Sequence, residues 1–99
     1  MEFATRMDRI WELTKSIEQA AAVAEWERAA EFASERSPLL MSLSAEQAGA
    51  ALDVLRQVHE IDTRIAAEAQ LAQSELGAEY QASMRATRNV GQYQRIAQF

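Results

Sequence analysis

Phe3, Met7, Ile10, Trp11, Thr14, Ile17 and Ala21, apolar except for the threonine, recur at three- and four-residue steps at the start of this chain. That is the spacing of one helical face, and it predicts a first helix over about residues 3–23. The stripe then changes phase, because Trp26, Ala29, Ala30 and Ala33 do not extend it smoothly. Glu25 and Glu27 suit the first turn of a new helix, where negative charge meets the positive end of the backbone dipole. A break near residue 24 is expected, with a second helix over about residues 25–36, although no hard breaker divides the two.

Ser37-Pro38 marks a restart, since serine caps well and proline is tolerated at a first helical position. The dense cluster Leu39, Leu40, Met41 and Leu43 then closes the bottom of a bundle, within a turn over about 37–44. Ser44-Ala45-Glu46-Gln47 has the form of a capping box and starts a long helix over about 45–90. Its seam is Ala48, Ala51, Leu55, Val58, Asp62, Ile65, Ala69, Ala72 and Leu76, alternating steps of three and four. Asp62 is polar within that seam. Either it pairs with a cation of a facing helix, or the seam rotates to bring Ile61 inward. Rotation is the favoured expectation, because a lone buried carboxylate is costly.

Gly77 lowers helix stability by about 1 kcal/mol relative to alanine, and Gly91 is the expected end of the helix. Beyond it, Tyr93, Ile96 and Phe99 recur at three-residue steps in a mobile tail over 91–99. These three form a candidate autoinhibitory segment, a short C-terminal helical piece that folds back over apolar surface when no partner is present.

Composition agrees with this pattern. Alanine, glutamate, glutamine and arginine dominate, with three glycines and one proline, and these are residues that lose little on entering a helix. The expected fold is all-α: an antiparallel three-helix bundle with a long third helix, in a single domain over 1–99. A 46-residue helix at about 1.5 Å per residue reaches roughly 65–70 Å. A compact domain of this length has a radius of gyration of about 13 Å. The third helix is therefore expected to extend past its own bundle, with Ile65, Leu71, Leu76, Tyr80 and Met84 as anchors for a partner helix. Trp11 and Trp26 are expected in the core.

Other classes lose ground. Without cysteine, the chain cannot form a disulfide framework or a thiolate site, which fits a cytoplasmic protein. No apolar run approaches the roughly 20 residues of a membrane span, and the N-terminus lacks a signal-peptide pattern. A net charge of −5 argues against a nucleic-acid partner, which calls for a basic face. The lone histidine, His59, has Arg56 three residues before it where a bundle metal site would place glutamate, so neither metal nor cofactor is implied. Helical chorismate mutases have similar length, but they clamp a dianion between several cations, and this chain has one lysine, Lys15, and arginines that do not converge. No enzymatic activity is expected.

Several short stretches carry a resemblance. Ala24-Glu25-Trp26-Glu27, then Glu35-Arg36 and Leu39-Leu40, then Ile61-Asp62-Thr63-Arg64-Ile65, and finally Arg88-Asn89-Val90-Gly91-Gln92-Tyr93 occur in an order that resembles the FliT-type flagellar export chaperones. The match departs at Ala24, where glycine is frequent, and at Ser37-Pro38, which interrupts the second helix. The resemblance implies a cytoplasmic chaperone that binds the C-terminal helical segment of the flagellar filament-cap protein. It would prevent premature assembly and escort that subunit to the export apparatus, a type III secretion system. Relatives also touch the export ATPase complex or a transcription regulator, which these motifs leave open. The alternatives are a self-associating coiled-coil adapter acting as a homodimer, and a chaperone for a different type III secretion substrate.

Overall fold

The computed structural model describes the backbone of residues 2–98 and the side chains of residues 2–82. Four helices follow one another: α1 (Phe3–Ala22), α2 (Trp26–Met41), α3 (Ala45–Ala50) and α4 (Leu52–Gln98). There is no strand among the described residues. The chain divides into two units, Met1–Ala69 and Gln70–Phe99.

In the first unit α1 and α2 are antiparallel. Arg6, early in α1, donates to the carbonyl and hydroxyl oxygens of Ser42 just after α2, and Arg9 reaches Glu35 at 2.6 Å. The first part of α4 runs in the same direction as α1, with Met7 and Trp11 beside Val54 and Gln57, and Glu18 paired with Arg64 further along. An up-down-up bundle results. Ile17, Ala20, Ala21, Ala29 and Ile65 form its main core cluster, with Trp26, Phe32, Ala33 and Ile61 packed against it. Ile10 and Leu13 are fully buried, and Val58 and Ala51 continue the buried face of the later helices. Ala20, Ala21 and Ala29 let α1 and α2 approach closely, so much of the apolar area comes from the few large residues between the helices.

The break after α1 has a defined cause. Ala24 adopts the left-handed region with φ 59°. Its N–H donates to Ala21 O at 3.0 Å and that of Glu25 to Ala20 O at 2.9 Å, the pair of bonds that closes a helix in a Schellman turn. Left-handed geometry costs a non-glycine residue roughly 1–2 kcal/mol, which explains why glycine suits this position. The chain turns here by backbone hydrogen bonding rather than by a breaker residue.

Three expected boundaries need correction. The second helix does not stop at residue 36: it runs through Ser37 and Pro38 to Met41. Pro38 removes the N–H that would have met the Ser34 carbonyl and its ring crowds that oxygen, but Ser34 is exposed, so the carbonyl can tilt outward and be taken up by water. Ser42 N–H still donates to Pro38 O at 3.0 Å, which keeps the last turn intact. The cluster there is not uniformly core, since Leu39, Leu40 and Leu43 are half-buried while Met41 is 83% exposed.

The long helix is likewise two elements. Ser44 and Gln47 form the reciprocal capping box at 3.1 Å in each direction and start the short α3. Ala51 then leaves helical angles, with φ −103° and ψ 19°, before α4 begins. The junction keeps its hydrogen bonds, from Ala51 N–H to Gln47 O and from Leu55 N–H to Ala51 O, while the Ala51 methyl is buried. A bend that keeps its hydrogen bonds leaves no mark in the hydrophobic period.

The second unit is helical from Gln70 to Gln98. A helix end near Gly91 is not observed, because one glycine costs only about 1 kcal/mol in favourable company. Gly77 also sits within α4, and a methyl added there would meet open space. The side chains of Tyr93, Ile96 and Phe99, and with them the fold-back expected of the tail, lie outside the described residues.

Candidate functional site

Arg36 is the least expected residue of the bundle. It lies on the inward face of α2, four and seven residues after Phe32 and Ala29, and is 7% exposed. Its guanidinium grips Asp62 of α4 with both terminal nitrogens, at 3.0 Å and 2.8 Å. The Nη1 nitrogen also donates to Thr14 Oγ1 of α1 at 2.9 Å, and that hydroxyl donates to Ile10 O at 2.8 Å. One side chain thus ties three helices together. The Arg36 Nε remains without a partner.

Asp62 therefore pairs across the bundle, and Ile61 packs inward beside it. The two expectations for the seam were not exclusive: the helix turns so that the aliphatic residue enters the core and the carboxylate reaches Arg36 at its margin. Arg36 was missed as a core residue. Its signal was positional, a cation at the spacing of the apolar residues Ala29 and Phe32.

A second pairing acts further along α4. Glu18 accepts from Lys15 at 2.5 Å and from Arg64, and these bonds, the Lys15 bond foremost, hold its carboxyl below the ordinary glutamate range. Trp26 is half-buried and packs against the core cluster. Trp11 is also only half-buried: it lines a shallow groove with Met7, Asp8, Val54 and Gln57, and Lys15 lies 5.6 Å from its ring.

The expected partner anchors divide. Ile65 belongs to the core of the first unit, so it is corrected from anchor to packing residue; its place in the seam puts it against Ile17 and Ala29. In the second unit Leu71, Leu76 and Tyr80 are 61%, 65% and 65% exposed. Leu76 and Tyr80 are one turn apart and share a face with Ala72. Leu71 does not share it: nine residues at about 100° each place it roughly 180° from Tyr80. One straight partner helix cannot contact both. The Met84 side chain lies outside the described residues.

No group of three His, Asp or Glu side chains able to hold a metal occurs among the described residues, and His59 is exposed. No helix among them is long and apolar enough to cross a membrane. What this arrangement offers is a clamped helical bundle and, on α4, apolar side chains open to another chain.

Such a molecule falls in the class of small all-helical proteins. The family model described as "Flagellar protein FliT" matches residues 4–95, and the chain belongs to that family of flagellar export chaperones. It is a chaperone family and not an enzyme family. No curated protein and no solved structure matches the chain significantly. The short motifs behind the resemblance acquire structural roles here. Ala24 makes the turn, Arg36 and Asp62 join α2 to α4, and Arg64 joins α4 to α1.

Proposed function

We propose that this protein is a cytoplasmic flagellar export chaperone for the filament-cap subunit. It binds that subunit's C-terminal helical segment, keeps it from assembling early and escorts it to the export apparatus. Family membership supports the role. The observation that carries the choice of surface is the exposed pair Leu76 and Tyr80, 65% open each and on one face of α4.

An amphipathic partner helix would lay its apolar stripe along Ala72, Leu76 and Tyr80. Burying each large side chain fully stabilises the complex by about 1.5–3 kcal/mol. Two such residues give about 3–6 kcal/mol, close to the lower estimates of the freedom lost on association, about 4–15 kcal/mol. Affinity therefore depends on further contacts, from Met84 onward along α4 or from a partner that wraps round to Leu71. A site with this few strong anchors releases its cargo readily, which suits delivery to an export machine.

The test is titration of the purified chain with a peptide spanning the C-terminal helix of the filament-cap protein. Binding should be lost when Leu76→Asp and Tyr80→Asp are combined, with helicity by circular dichroism preserved. Unchanged binding by the double variant, or no binding by the parent chain, rejects the proposal. Self-association through the same face would instead appear as a dimer in light scattering that the double variant dissolves.

A further inference from the structure

The face around Leu76 is electrically lopsided. Between Gln70 and Ala82 the only charged side chains are Glu75 and Glu79, both exposed. On the helix they stand about 100° and 60° to one side of Leu76, whereas Tyr80 stands about 40° to the other. Beyond Tyr80 that second flank is neutral within residues 70–82, with Gln73 and Gly77, and the next charges along the sequence are the cations Arg85 and Arg88. The ion pairs formed among the described residues involve neither carboxylate. Apolar contact is thus bordered on one edge only by two like charges one turn apart.

We infer that this face selects an amphipathic helix bearing lysine or arginine along one edge of its apolar stripe, the cations lying against Glu75 and Glu79. The inference rests on the docking reading above and adds the partner's charge pattern and direction. Apolar packing by itself is nearly indifferent to whether two helices run parallel or antiparallel. A one-sided acidic edge is not indifferent, because only one orientation of a one-sidedly basic helix matches both stripe and charge. A partner with acidic residues on that edge would bring like charges together and be rejected. Opposite charge also speeds encounter, in a manner that salt weakens.

The probes are two synthetic helical peptides with one apolar stripe in common, the first edged with lysines and the second with glutamates, titrated into the full chain at low and high salt. The lysine peptide should bind about tenfold tighter at low salt, and the gap should narrow as salt is added. Combining Glu75→Gln with Glu79→Gln should weaken the lysine peptide by about threefold to tenfold and flatten its salt dependence. Equal binding of the two peptides overturns the inference, as does failure to bind either. A lysine preference that survives the Gln pair overturns it too, because the preference then comes from the chain's overall negative charge. The filament-cap peptide, run in parallel, separates the two readings. If it binds through Leu76 and Tyr80 but ignores the Gln pair, the chaperone reading stands and the charge inference falls. If the lysine peptide is preferred while the filament-cap peptide does not bind, the charge inference stands and the named partner is wrong.

Discussion

Removing the Asp62 carboxylate should harm the bundle more than removing the Arg36 charge it pairs with. Asp62→Ala strands a guanidinium that is nearly enclosed, leaving Thr14 as its remaining partner. Breaking a fully buried pair from one side costs about 3–5 kcal/mol. The Asp62 side chain is 36% exposed, so water can enter part of the vacated space, and the expected cost falls to about 2–3 kcal/mol. Arg36→Met is different. It keeps the apolar stem, removes the buried charge together with its unpartnered Nε, and leaves Asp62 where solvent can reach it. Its expected cost is about 1 kcal/mol or less, and the double variant should resemble it, a coupling of about 2 kcal/mol. Urea unfolding followed by tryptophan fluorescence suits the measurement, because Trp11 and Trp26 both lie in the first unit. Equal costs for the two single variants, or a coupling below about 0.5 kcal/mol, would show that the pair is a surface contact and not a clamp.

Two further outcomes follow from the same geometry. Ala24→Gly relieves the left-handed strain at the α1 terminus and should raise stability by up to about 1 kcal/mol, read as a higher urea midpoint; a lower midpoint would contradict the strain. Glu18, whose carboxyl is held down chiefly by its bond from Lys15 and then by Arg64, binds its proton less readily folded than unfolded. Its contribution is thus present above the ordinary glutamate range and is lost as pH falls through the lowered value, so Glu18→Gln should flatten the acid limb of stability below the ordinary glutamate range. Exposure keeps this effect small, and an acid limb unchanged by the substitution would show that Glu18 gains nothing from its partners.

Helix type was legible because it depends on spacing that each segment carries within itself. The stripes through Ile10 and Ile17 and through Val58 and Ile65 mark residues that the bundle buries. The capping box at Ser44 was legible for the same reason: its two hydrogen bonds join residues three apart. Boundaries were harder. Pro38 read as a restart, yet the cost of one missing N–H is offset when the surrounding turns pack, and α2 continues to Met41. Ala51 shows the converse, a bend without a breaker residue.

The candidate docking residues were legible as large apolar side chains, but not by face. A list of exposed candidates mixed Leu71 with Leu76 and Tyr80, although helical phase puts Leu71 on the far side. It also included Ile65, whose periodicity is that of an anchor and of a core residue alike. Only the presence of Ile17 and Ala29 against it separates the two.

From local order along the chain came the all-helical class and the principal helix starts, each a matter of residues within a turn or two of one another. Tertiary structure decided what those residues meet. It placed Arg36 between Thr14 and Asp62, 22 and 26 positions away along the chain, and so made a charged residue part of the core. A charge is buried only when distant partners satisfy it, and the identity of those partners is set by how the helices pack rather than by any spacing within one of them.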